Sequence, residues 1–129
     1  RKTLPSVNVL EVVSGNDDTQ QTYDAAIQLL QNDPDIRAVY NVAGGNAGLA
    51  AALDEYQGAI KPVVITHEVN EVTERLILAE KIDYILSQNI PQLLLETVDR
   101  LIALTQQKPV SAHTFVPIEI VTRFTLIPG

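Results

Sequence analysis

Few side chains in this sequence are equipped for covalent or proton-transfer chemistry. There are two histidines, His67 and His113, and no cysteine. The most suggestive cluster is Thr66-His67-Glu68-Val69-Asn70, where an imidazole and a carboxylate follow an apolar run. Neighbouring residues of a strand point to opposite faces, so His67 and Glu68 are poorly placed to act on one atom. Glu68 reads better as an acceptor for a ligand hydroxyl, and His113, in a polar segment, as exposed. Ser14-Gly15-Asn16-Asp17-Asp18 offers two carboxylates but lacks the alternating oxygen ligands and distal glutamate of a calcium loop. Asp18 stands three residues before Gln21 and suits a helix cap, which leaves Asp17 as the ligand contact.

Ala43-Gly44-Gly45-Asn46-Ala47-Gly48 matches neither the dinucleotide fingerprint nor a phosphate-binding loop, and it contains no lysine. Gly44 and Gly45 suit a tight turn with positive φ. The Asn46 amide either caps the following helix or reaches into a cleft. Gln88, directly after Ile85-Leu86-Ser87, can both donate and accept. That suits a hydroxyl-bearing ligand, or else nearby backbone groups. No G-x-S-x-G or H-E-x-x-H signature is present, so binding is expected rather than catalysis, with no metal and no cofactor.

All four loops interrupt a regular alternation. Val7, Val9, Leu10, Val12 and Val13 read as a strand, followed by a helix from Asp18 to Asn32-Asp33-Pro34. Ala38-Val39-Tyr40 reads as a strand, and Leu49, Ala52, Leu53 and Tyr56 as a helical face closed by Gly58. A strand at Pro62 to Thr66 precedes a helix opened by Asn70. A strand at Tyr84 to Leu86 precedes a helix capped by Asn89 and running to about Leu104. Phe115 to Leu126 reads as one or two further strands. Short strands alternating with longer helices imply an α/β fold of three αβα layers, with a mostly parallel sheet and helices on both faces. In such sheets ligands sit beyond the carboxyl ends of the strands, where these four loops fall.

Composition narrows the class further. The 129 residues hold 9 basic and 16 acidic side chains, for a formal charge of -7, and the cations are scattered singly. Such a chain has no basic stripe for a phosphate backbone. Without cysteine there is no disulfide framework and no thiolate metal site. No apolar run approaches the roughly 20 residues of a membrane span, and Arg1-Lys2-Thr3-Leu4-Pro5 lacks the apolar stretch of a signal peptide. Because the first residue is not methionine, Arg1 is expected not to be the natural start.

The ordered series Asn32-Asp33-Pro34-Asp35-Ile36-Arg37-Ala38-Val39-Tyr40-Asn41, Gly44-Gly45-Asn46-Ala47-Gly48-Leu49, Lys61-Pro62-Val63-Val64-Ile65-Thr66-His67-Glu68 and Lys81-Ile82-Asp83-Tyr84-Ile85-Leu86-Ser87-Gln88-Asn89-Ile90-Pro91 resembles the second half of type I periplasmic-binding-protein folds. It looks most like the effector-binding domain of lactose-repressor-type (LacI-type) transcriptional regulators, and Val116 to Phe124 resembles their C-terminus. The resemblance implies two α/β lobes closing on a sugar or polyol. It carries ligand contacts onto Asp17, Asn46, Glu68 and Gln88, with Asn41 an alternative to Asn46. The family often has aspartate where Glu68 stands, and an aromatic near Asp17 that this chain lacks. A small, highly hydroxylated ligand is therefore expected.

By the same resemblance, residues 1–88 are the second lobe, 89–106 a crossover helix that normally packs on the first lobe, and 107–129 the C-terminal strands. The DNA-binding domain and most of the first lobe are expected to be missing. The resemblance also implies a cytoplasmic protein that reaches DNA only through that absent domain. The apolar face of Leu93, Leu94, Leu95, Val98, Leu101 and Ile102 then calls for self-association, as a homodimer or by swapping the helix. A periplasmic sugar-binding protein of a transporter is the alternative. A receiver-like signalling domain ranks lower, since no aspartate ends the His67 strand and no lysine follows the Ile85 strand.

Overall fold

The structure is a computed structural model that describes residues 6–113 and 115–126. Arg1 to Pro5 and the last three residues of the C-terminal segment lie outside the described residues. In chain order the elements are α1 (Thr19–Asn32), β1 (Ala38–Asn41), α2 (Asn46–Glu55), β2 (Val63–His67), α3 (Glu71–Leu78), β3 (Tyr84–Gln88), α4 (Ile90–Thr105) and β4 (Ile118–Val121).

Local chemistry sets the helix starts. Asp18 accepts from the Gln21 N–H at 2.8 Å, and Asn89 from the Gln92 N–H at 3.1 Å. Asn70 and Thr73 satisfy each other's backbone donors in a reciprocal box at the start of α3. α1 ends at Asn32, and its cap Asp33 is the residue before Pro34, where the proline ring disfavours helical backbone. Gly58 does not close α2 as its sequence position suggests. That helix stops at Glu55, capped by Tyr56, whose backbone turns extended and whose hydroxyl donates to the Pro34 carbonyl at 2.6 Å.

The four strands form one mixed sheet in the order β1-β2-β3-β4, with the first three parallel and β4 antiparallel to β3. An α/β fold with a mostly parallel sheet is thus present. Register divides the sheet into two faces. Thr66 pairs with Asn41 and with Ile85, and Ile85 pairs with Val121, so these side chains share a face with Val64 and Val39. Ala26 and Leu30 of α1, Leu49 and Ala52 of α2 and Ile77 of α3 pack onto that face around Val64 and Ile85. The other face presents Tyr40, Ile65, Tyr84, Leu86 and Ile120 around a shallow apolar hollow of about 480 Å³. α4 contributes no buried residue, and Leu95 on it is 69% exposed.

The Val7 to Val13 run, expected as a strand, is not one. It pairs with no strand of the sheet, and Val9 and Val12 stay 81% and 90% exposed. A β-branched run becomes a strand only by joining a ladder and burying a face, and β1 is an edge with no neighbour on its outer side among the described residues. Between Phe115 and Leu126 only β4 is a strand. Among the described residues no helix is long and apolar enough to cross a membrane.

Candidate functional site

The carboxyl ends of β1 and β2 and the N-terminal ends of α1, α2 and α3 meet around a small hollow of about 160 Å³. Thr19, Gly44, Gly45, Asn46, Ala47, Asn70 and Val72 line it. Asp17 belongs to the turn before α1, with Asn16 and Asp17 both in left-handed backbone at φ 50 and 58. The turn is held by the Asn16 amide donating to the Gln21 side chain at 2.8 Å and the Asp18 N–H donating to the Gly15 carbonyl at 2.9 Å. Asp17 Oδ1 accepts from the Gly44 N–H at 2.6 Å, so one carboxylate oxygen ties the first loop to the second. Asp18 is the cap expected of it.

Glycine is required where those loops touch. A Cβ on Gly45, whose φ is +78, would stand 2.0 Å from Thr22 Oγ1. Gly45 is also the N-cap of α2, and no side chain caps that helix. Asn46 therefore does not cap α2. Its side chain turns under the helix, leaving the residue 8% exposed, and its Oδ1 accepts from the Thr66 hydroxyl at 2.7 Å and from Asn41 Nδ2 at 2.8 Å. Asn41 and Asn46 are thus bonded to each other.

Glu68 lies just past the end of β2 in left-handed backbone, with φ 61. Its N–H donates to the Leu86 carbonyl at 3.1 Å and its carbonyl accepts from the Thr73 hydroxyl at 2.8 Å. Its half-buried carboxylate has no hydrogen-bond partner among the described residues. His67 turns elsewhere: its Nε2 meets the Tyr40 hydroxyl, and the two rings lie 5.5 Å apart at 44° on the face away from α2. No His67–Glu68 pair forms. Gln88 ends β3 opposite Ile118, exposed, with its amide unbonded among the described residues. His113 is exposed.

The structure therefore brings the Asp17 loop onto the Asn46 loop and anchors Glu68 to the strand that carries Gln88. The four side chains make no direct bond to one another. Thr66 and Thr73, which position Asn46 and Glu68, carry no motif; a polar residue ending an apolar strand was the only signal for Thr66. Among the described residues no group of three or more His, Asp or Glu is placed to hold a metal.

The sequence profile of the periplasmic binding protein domain matches residues 1–109. No curated protein is a detectable relative. Solved structures are similar in fold. The arabinose-binding protein AraP of Geobacillus stearothermophilus superposes with a TM-score of 0.81 at 22% identity, over 95% of this chain and 46% of that one. The sugar-binding protein of a sugar ABC transporter from Bacillus halodurans gives 0.79 at 21% identity, over 93% and 45%. An ABC-transporter solute-binding protein from Agrobacterium vitis, bound to α-D-tagatopyranose, gives 0.79 at 13% identity, over 93% and 41%. The chain thus spans less than half the length of these three proteins.

Proposed function

The chain belongs to the periplasmic binding protein domain family, and on that footing we propose that it is one lobe of a two-lobed receptor for a small sugar or polyol. In this reading the ligand bridges two lobes, and closure over it is the signal. Asp17, Asn46, Glu68 and Gln88 supply the contacts from this side. The observation that carries it is Asn46, a nine-tenths buried residue that lines the hollow and whose amide nitrogen is unbonded among the described residues. Asp17 bonds the backbone of Gly44, one of the residues that line the hollow. Donors and acceptors placed this way suit hydroxyl groups, which need both.

Two settings fit such a lobe. The solved structures favour the solute-binding protein of a sugar transporter. The segment Val116 to Phe124 favours the effector domain of a cytoplasmic LacI-type regulator, where closure alters the grip of an attached DNA-binding domain. In either, residues 89–106 cross to the other lobe, which accounts for the exposed apolar face of α4. On its own the chain covers that face by pairing with a second copy. Light scattering on a concentration series reads this directly; a clean monomer at high concentration refutes it.

Titration calorimetry with arabinose and tagatose, on the whole protein and on its Glu68→Ala and Gln88→Ala variants, tests the site. Unchanged affinity in both variants removes these residues from it. Gel-shift measurements with and without the sugar separate the regulator from the transport protein.

A further inference from the structure

Asn46 is held by groups that sit beneath it in the sheet, and the way they hold it decides what it can offer a ligand. The carbonyl oxygens of Ala43 and Gly44 can only accept, and both lie 3.1 Å from the same terminal atom of Asn41. That atom is therefore Nδ2. The same Nδ2 lies 2.8 Å from a terminal atom of Asn46, which must then be the acceptor Oδ1. The fully buried Thr66 hydroxyl donates to that oxygen at 2.7 Å. Both lone pairs of Oδ1 are now used. Turning the amide over would set its N–H groups against the Asn41 N–H groups, a buried clash of donors. Only Nδ2 is left without a partner among the described residues, on a residue that lines the hollow.

We propose that Thr66 and Asn41 are positioning residues that lock Asn46 as a hydrogen-bond donor toward the cleft, so that the ligand must present an oxygen acceptor at this point. The proposal rests on the sugar-binding reading and adds a rule of specificity to it. A hydroxyl accepts from Asn46 while giving its own hydrogen to a carboxylate, and Asp17 and Glu68 are the carboxylates in the adjoining loops. An ammonium group can only donate, so a sugar aminated at that carbon is refused. The register of the sheet makes the lock possible: Asn41 and Thr66 are paired residues of neighbouring parallel strands and project from the same face beneath α2.

The test compares Thr66→Val, which keeps the shape and loses the hydroxyl, with Thr66→Ser, which keeps the hydroxyl. Calorimetry with arabinose and tagatose should show Thr66→Ser within about twofold of the parent protein and Thr66→Val weaker by about tenfold, the worth of one hydrogen bond. Without any sugar, ¹⁵N relaxation of the Asn46 side-chain amide should be rigid in the parent and in Thr66→Ser, and mobile in Thr66→Val. Parent-like affinity or parent-like rigidity in Thr66→Val overturns the proposal. If the parent binds neither sugar, the sugar reading falls, and the relaxation comparison still decides whether Asn46 is positioned. Should Thr66→Val fail to fold, Asn41→Asp replaces the other donor with an acceptor and must release Asn46 in the same measurement; a rigid, unturned amide there also overturns it.

Discussion

Replacing Glu68 by glycine should make the protein more stable while weakening its grip on ligand. Glu68 has φ 61, and its backbone is pinned on both sides by the Leu86 carbonyl and the Thr73 hydroxyl, so the conformation persists whatever side chain is present. Left-handed backbone costs a residue with a Cβ about 1–2 kcal/mol, and glycine escapes that cost at an entropic penalty of about 0.5–1 kcal/mol. Glu68→Ala is the matched control, because it removes the carboxylate and keeps the strain. The two variants should differ by about 1 kcal/mol in favour of glycine. With an unfolding entropy of about 2.1 cal/mol/K per residue, that is about 4 °C in Tm for a chain of this size. Urea and thermal melts followed by circular dichroism read the difference. Calorimetry should show both variants weaker for sugar by about tenfold or more, the worth of a hydrogen bond to a charged group. Equal melting temperatures would refute stored strain at Glu68, and retained affinity would refute its place in the site. Strain kept at a loop where a carboxylate has no structural partner is what a binding role explains.

Three further outcomes are expected. Glu80 sits left-handed just past α3, with its N–H on the Ile77 carbonyl and the Lys81 N–H on the Leu76 carbonyl, a helix ending that favours glycine. Glu80→Gly should therefore stabilise by about 0.5–1 kcal/mol in a urea melt despite losing its exposed contact with Arg123. Gly48→Ala would drive a Cβ to 1.9 Å from the Thr19 carbonyl oxygen where α1 meets α2, and should destabilise by about 1–3 kcal/mol, read as a lower Tm. The Tyr23 hydroxyl donates to Glu55 at 2.9 Å, and that bond first, then burial and the charges of Glu55 and Asp24, raise its pKa above the ordinary 10.0. A raised folded-state pKa means the contribution is full below the ordinary value and lost as pH climbs through the folded one. Tyr23→Phe should remove a phenol that titrates above its ordinary range from an ultraviolet pH titration and flatten the loss of stability above pH 10.

Much of the fold was legible because it rests on local signals. Asp18, Asn70 and Asn89 announce three helix starts by side-chain chemistry that acts within three residues, and each is a cap in the structure. The strands ending at Asn41, His67 and Gln88 were legible from short apolar runs between helices. Val7 to Val13 shows the limit of that reasoning. Its residues prefer strand, but a strand is made by its neighbour, and propensity says nothing of whether one is there. The four proposed contacts were placed by their position after strands, yet their relations were invisible. Nothing in the order of residues says that Asp17 bonds the Gly44 backbone 27 positions away, or that Glu68 lies outside the strand in left-handed backbone.

The residue order by itself determined the class of the molecule. An alternation of short apolar runs and capped helices, acidic charge and no cysteine admit an α/β binding domain and exclude thiol chemistry and a basic nucleic-acid face. Tertiary structure alone decided the wiring of the site. Pairing Asn41 with Thr66 across two parallel strands sets two donors under one side chain of a helix that begins nearby, and this fixes which end of the Asn46 amide is open. The reason is one of range. Caps and turns are settled by groups a few residues apart, whereas the direction of a buried amide is settled by register, which exists only once the strands have met.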